Sequence, residues 1–120
     1  MKLAQCLLLK DAVFDLDERV RYFGFLDNRL GMVISELRKK EESHPGETQL
    51  VQDLTFFKGV MASWGIYFGK VRYSVVSHDR FKIMMLPVEG GLIITTTEAS
   101  LPVDFVETLL AAITTRLGKV

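Results

Sequence analysis

The run Phe81-Lys82-Ile83-Met84-Met85-Leu86-Pro87-Val88, the turn at Gly90-Gly91 and the run Leu92-Ile93-Ile94-Thr95-Thr96-Thr97 decide the fold. From Phe81 to Leu86 the sequence is apolar almost throughout instead of alternating with polar residues. Strands with one wet face alternate, so this one reads as an interior strand covered on both faces. Leu92–Thr97 is rich in β-branched residues, which pack well on a pleated surface. Pro87 stands at the end of its strand, where a missing N–H costs least. A sheet with such strands at its centre needs a layer on either side.

The remaining elements supply that sheet and those layers. Lys70–Val76 pairs with Arg80–Val88 around Ser77-His78-Asp79. Val20–Leu26 carries Tyr22, Phe23 and Phe25 in one short run and reads as a strand. Asp27-Asn28-Arg29 supplies turn chemistry, and Gly31–Leu37 returns as the second strand of the hairpin. Gly24 within the first strand has a packing reason. Residues 2–16 fit a helix, with Leu3, Leu7 and Phe14 at helical spacing, but Leu8, Leu9, Ala12 and Val13 spread its apolar surface widely. From Glu47 to about Trp64, the positions Leu50, Leu54, Phe57, Met61 and Trp64 fall within roughly 80° at about 100° per residue. Gly65 and Gly69 bracket the end of that helix. Ser100-Leu101-Pro102 opens the last helix with a cap and an early proline, and Gly118 closes it. Its inward stripe is Val103, Val106, Leu109, Leu110, Ile113 and Leu117. Arg38–Gly46, mixed in charge and ending in Pro45-Gly46, is a solvated loop. The expected order is helix, two strands, loop, helix, three strands, helix. That is an α+β fold of three layers, α/β/α, with a five-stranded mostly antiparallel sheet.

The chain has 120 residues, which is room for a single domain spanning 1–120. Fifteen Lys+Arg balance fifteen Asp+Glu, so no net field favours nucleic acid or an anionic membrane. One cysteine, Cys6, excludes an internal disulfide and a cysteine-rich metal cluster. No apolar run is long enough to span a bilayer, and the N-terminus lacks the marks of a signal peptide. A soluble, cytoplasmic protein is the expectation.

The sequence offers no standard catalytic signature. It has no glycine-rich phosphate loop leading to Lys-Ser/Thr, no paired histidines four apart, no Gly-x-Ser-x-Gly and no Cys-x-x-Cys. His44 and His78 read as exposed loop and turn residues, and Cys6 as a buried inert thiol. Arg38-Lys39-Lys40 is offset at once by Glu41 and Glu42. Lys70, Arg72, Arg80 and Lys82 alternate along two strands expected to pair. They build a basic stripe of the kind that also deters edge-to-edge aggregation.

The back of the middle helix carries more information. Thr55, Gly59 and Ser63 recur every fourth residue with Ala62 alongside, roughly opposite the Leu50–Leu54–Phe57–Met61 stripe. A glycine inside a helix costs about 1 kcal/mol against alanine and asks for a reason. A row of small side chains lets another helix approach closely. Phe56 and Val60 widen the apolar arc beyond the ~100° that one buried face requires. The expectation is a homodimer in which this helix meets its twin through Thr55, Phe56, Gly59, Val60, Ala62 and Ser63, with Lys70 and Arg72 on the adjoining strand.

Three segments carry a family resemblance: Val20-Arg21-Tyr22-Phe23-Gly24-Phe25-Leu26-Asp27, Phe68-Gly69-Lys70-Val71-Arg72-Tyr73-Ser74 and Ile83-Met84-Met85-Leu86-Pro87-Val88. They resemble a small, uncharacterised family of archaeal proteins that is similar to the roadblock/dynein light-chain domains, with a profilin-like topology. The match runs over about residues 6–98. The resemblance implies a five-stranded antiparallel sheet with the middle helix on one face and the terminal helices on the other. It also implies homodimerisation through the middle helix and an edge strand. Roadblock domains are non-enzymatic modules that regulate or scaffold small GTPases and motor complexes. The chain departs from the family at the first hairpin, where Leu30-Gly31-Met32 replaces a longer glycine-rich connection.

The leading functional expectation is therefore a non-catalytic, homodimerising interaction or regulatory module without a cofactor, acting on a small GTPase or another signalling protein. The alternative is a small-molecule sensor of related three-layer fold. Its candidate polar groups are Tyr22, Tyr73 and Trp64.

Overall fold

The computed structural model describes residues 1–39 and 47–118; of residues 47–52 and of Thr55 only the backbone is described. The expected loop beyond Lys39, with His44, and the side chains of Leu50 and Thr55 lie outside the described residues. The elements are α1 (Leu3–Leu16), β1 (Val20–Asp27), β2 (Gly31–Leu37), α2 (Glu47–Phe68), β3 (Ser74–Ser77), β4 (Phe81–Val88), β5 (Gly91–Glu98) and α3 (Phe105–Leu117). The strands form one antiparallel sheet in the order β2-β1-β5-β4-β3. This is the three-layer α+β architecture the sequence predicts.

β5 sits at the centre, and every residue from Gly91 to Thr97 is buried. One face of the sheet, through Phe23, Phe25, Met84, Leu86 and Ile93, packs on α1 and α3. Those helices contribute Cys6, Leu9 and Val13, and Phe105, Val106, Leu109 and Ile113. The opposite face, through Leu26, Met85, Leu92 and Ile94, meets Leu54 and Met61 of α2. Directly opposed residues in an antiparallel pair share a face, so Thr95, opposite Phe23 and Met84, points into the α1/α3 core. Its hydroxyl has no hydrogen-bond partner among the described residues.

Two glycines answer to close approach. In β1, Gly24 lies beneath Tyr22, whose hydroxyl occupies the place a Cβ would take and bonds Ser35 Oγ at 2.9 Å. At the start of β5, a Cβ on Gly91 would strike the Leu26 carbonyl and the Phe25 ring. The first hairpin turns on Asp27, whose Oδ1 accepts the N–H groups of Arg29 (2.8 Å) and Leu30 (3.0 Å), with Gly31 at φ 79°.

Four expectations change. Lys82 does not join a basic stripe: it shares its parity in β4 with Met84 and Leu86, is buried, and donates its ammonium to the Ala99 carbonyl. Lys70 and Arg72 precede β3, which begins only at Ser74, because Arg72 and Tyr73 are drawn to Glu107 of α3. Trp64 is 53 % exposed rather than inward, and α2 continues one turn to Phe68. α3 begins at Phe105 after a tight turn in which Phe105 N–H bonds the Pro102 carbonyl at 3.1 Å, leaving Val103 half-exposed.

Candidate interaction surface

α2 joins β2 at one edge of the sheet to β3 at the other. Its 22 residues make a rod of about 33 Å at ~1.5 Å per residue. Five strands at ~4.8 Å spacing span only about 19 Å. A connection of this length overhangs the sheet it covers. Leu54 and Met61 are buried beneath it and Phe57 is half-buried. Beyond Gly65 the helix is open to solvent, with Ile66, Tyr67 and Phe68 81 %, 80 % and 85 % exposed.

The outward side is built around small residues. With Met61 as the innermost point and about 100° per residue, Gly59 and Ser63 stand near 160° and 200° round the axis, and Ile66 and Phe56 near 140° and 220°. All four are exposed, Phe56 at 76 %. A Cβ on Gly59 would meet nothing within 4 Å, so no contact among the described residues calls for this glycine. The surface is therefore a shallow saddle, low at Gly59 and Ser63 and walled by Phe56 and by Ile66 with Tyr67. Isolated exposed apolar side chains are ordinary, but contiguous ones on one helix face mark a binding surface.

Of the sequence-predicted residues, Phe56, Gly59 and Ser63 lie together on this face, with half-buried Val60 and exposed Ala62 on its two flanks. The backbone of Thr55 continues the row. Lys70 lies in the connection after α2, and Arg72 is turned away: its Nη2 reaches Glu107 Oε2 of α3 at 3.5 Å. Tyr73 donates its phenolic proton to Glu107 Oε1 at 2.7 Å, and that carboxylate raises the Tyr73 pKa above its ordinary value. Arg72 and Tyr73 thus tie the approach to β3 onto α3 and are not joined to the α2 saddle.

Tyr22, Tyr73 and Trp64 do not converge. Tyr22 lies over Gly24, Tyr73 is held by Glu107, and Trp64 is half in solvent. His78 stacks on Phe81 with ring centroids 5.2 Å apart, as a turn residue. Cys6 is buried in the α1/α3 core, and burial raises its thiol pKa. No group of three or more His, Cys, Asp and Glu is placed to hold a metal among the described residues. None of their helices is long and apolar enough to cross a membrane. Sequence reasoning misses Ile66, Tyr67 and Phe68. The signal is present, since the apolar pattern runs on past Gly65, but two glycines so close together read as one helix end. Only Gly69, at φ 86°, closes the helix.

No protein-family profile and no curated protein matches the chain. Solved structures do. One described as MglB with tetrameric arrangement is 10 % identical over 97 % of this chain and 92 % of its own, with a TM-score of 0.71. The gliding protein MglB from Thermus thermophilus is 12 % identical over 97 % and 93 %, with a TM-score of 0.67. A Roadblock/LC7 domain from Streptomyces avermitilis is 15 % identical over 95 % and 98 %, with a TM-score of 0.56. At such identities the likeness is one of fold, and the fold is roadblock-like.

Proposed function

We propose that the chain is a single roadblock-like domain over residues 1–120 that acts in the cytoplasm as a non-catalytic, homodimerising interaction module. The observation that carries this is the outward face of α2. Phe56, Gly59, Ser63 and Ile66 are symmetric about position 61: large, small, small, large, at spacings of three, four and three. A two-fold axis crossing the helix at that level sets Gly59 against Ser63 and Phe56 against Ile66 of a second, antiparallel copy. The small pair lets the backbones approach and the large pair closes the ends. A two-fold interface is self-complementary in this way. The tetrameric arrangement described for one structure of the same fold supports self-association.

The partner proposed for the dimer is a small GTPase or another signalling protein, as the roadblock resemblance implies. Sedimentation equilibrium tests the assembly. Wild type sediments as a dimer, and Gly59→Leu, which raises a four-carbon side chain at the crossing point, sediments as a monomer with unchanged far-UV circular dichroism. An unchanged mass for Gly59→Leu removes α2 from the interface. Titration with small GTPases in both nucleotide states tests the partner; binding that ignores the nucleotide state argues against a regulatory role.

A further inference from the structure

We propose that a cleft between the C-terminal half of α2 and the end of the sheet binds a small amphipathic anion: a short acyl or alkyl chain bearing a carboxylate or phosphate head.

The inward positions of α2 run Leu54, Met61 and then, one turn on, Gly65. Glycine is the poorest helix former short of proline, and among the described residues neither backbone nor packing demands it. Gly65 does not have a positive φ, and a Cβ built on it would meet nothing within 4 Å. The space in front of it is a cleft of about 280 Å³. Met61, Val71 and Pro87 line it together with Lys58 of α2, Lys70 of the connection after α2 and Asn28 of the first hairpin turn. Asn28 is held in place by its backbone N–H on the Gly90 carbonyl at 2.9 Å. No acidic side chain lines the cleft among the described residues.

A large residue at position 65 would continue the stripe and fill the cleft; glycine keeps it open. Lys58, a lysine of α2 on an otherwise largely apolar lining, selects a ligand with one anionic end and a hydrocarbon body. The volume lies just under the ~300–1,000 Å³ of sites for drug-sized ligands, which sets a small ligand. Gly65 stands near 40° round α2 while the saddle lies between about 140° and 240°, so this site does not depend on the dimer proposal.

The test titrates the 120-residue chain with hexanoate, hexyl phosphate, hexanol and inorganic phosphate, read by amide chemical shifts and calorimetry. Either six-carbon anion shifts the amides of Gly65, Val71 and Gly91, and the stronger of the two identifies the head group. Hexanol binds about tenfold more weakly, the loss expected for a charge-assisted hydrogen bond, and inorganic phosphate alone leaves these amides unmoved. Gly65→Leu abolishes the anion-induced shifts. Lys58→Gln, a change on a half-exposed helix flank that leaves the fold intact, weakens both anions about tenfold and leaves hexanol unchanged. Unmoved amides with both anions, equal binding of hexanol and hexanoate, or full anion binding to a folded Gly65→Leu protein would overturn the proposal.

Discussion

Truncating Phe56 separates the dimer proposal from any effect on the fold. In the protomer its side chain is 76 % exposed, so Phe56→Ala removes almost nothing from the core. Such surface changes leave protomer stability within about 0.5 kcal/mol. In the proposed dimer the ring is buried against Ile66 of the second copy. Complete burial of a phenylalanine contributes about 1.5–3 kcal/mol, and with three quarters of the ring still available the share is about 1–2 kcal/mol. The two-fold axis counts every substitution twice, giving about 2–4 kcal/mol, or roughly 30- to 700-fold in the dissociation constant. Sedimentation equilibrium over a range of concentrations measures that constant, and urea denaturation of the dilute protomer measures the fold. Leu8→Ala, at a 68 % exposed position on α1, is the control. A dissociation constant unmoved by Phe56→Ala, or weakened as much by Leu8→Ala, refutes the symmetric α2 contact.

Three further predictions concern the protomer. Thr95→Val replaces a buried, unpartnered hydroxyl with a methyl of the same shape and should raise stability by about 1 kcal/mol, or about 4 °C in Tm; a loss in urea denaturation shows that the hydroxyl is satisfied. Gly91→Ala drives a Cβ into the Leu26 carbonyl and the Phe25 ring and should cost about 2–3 kcal/mol in the same assay; a neutral result disproves the close approach. Hydrogen bonds from the Arg19 side chain and backbone N–H hold the Asp17 carboxyl at about 2, below its ordinary 3.8. A depressed carboxylate stabilises the fold above its unfolded pKa and loses that contribution as pH falls through the folded one. Stability should therefore drop between about pH 4 and pH 2, and Asp17→Asn should flatten that drop; an equally steep profile in the variant removes Asp17 from the acid response.

The centre of the sheet was legible because its signal is local. Phe81–Leu86 has no polar face in sequence, and in space Lys82, Met84, Met85 and Leu86 are buried and Phe81 and Ile83 half-buried, while Leu92–Thr97 is buried throughout. What sequence periodicity omits is where the neighbouring layer stops. Trp64 keeps helical step with Leu54 and Met61, yet it is half-exposed because α2 outruns the sheet. Lys82 failed in the opposite direction. Its charge drew it into a stripe with Lys70, Arg72 and Arg80, although its parity with Met84 and Leu86 already put it on the α1/α3 face. The long aliphatic stem crosses the edge of that core and delivers the ammonium to a backbone carbonyl. The late start of β3 follows from Arg72 and Tyr73 reaching Glu107 of α3, a contact between distant segments that neither stretch of sequence carries alone. On the saddle, Phe56, Gly59 and Ser63 were legible from spacing, whereas Ile66–Phe68 were hidden by a glycine assigned the wrong task.

That glycine and Gly59 divide α2 between them. Neither has positive φ, neither is crowded, and they lie about 120° apart round the helix. On the two proposals, each weakens the same helix for the sake of something outside the packing of the described residues: Gly59 for a second copy, Gly65 for an anion. The two faces come closest at Ala62, which flanks the saddle and lines the cleft beside the level where the two-fold axis would cross. An anion that packs against this turn and restrains it acts where the copies meet. By linkage, whatever factor it applies to dimer affinity, dimerisation returns to anion affinity. Measuring the dimer constant with and without hexanoate fixes that factor. A factor of one means that α2 carries two independent surfaces, and any other value means that the overhanging helix couples them.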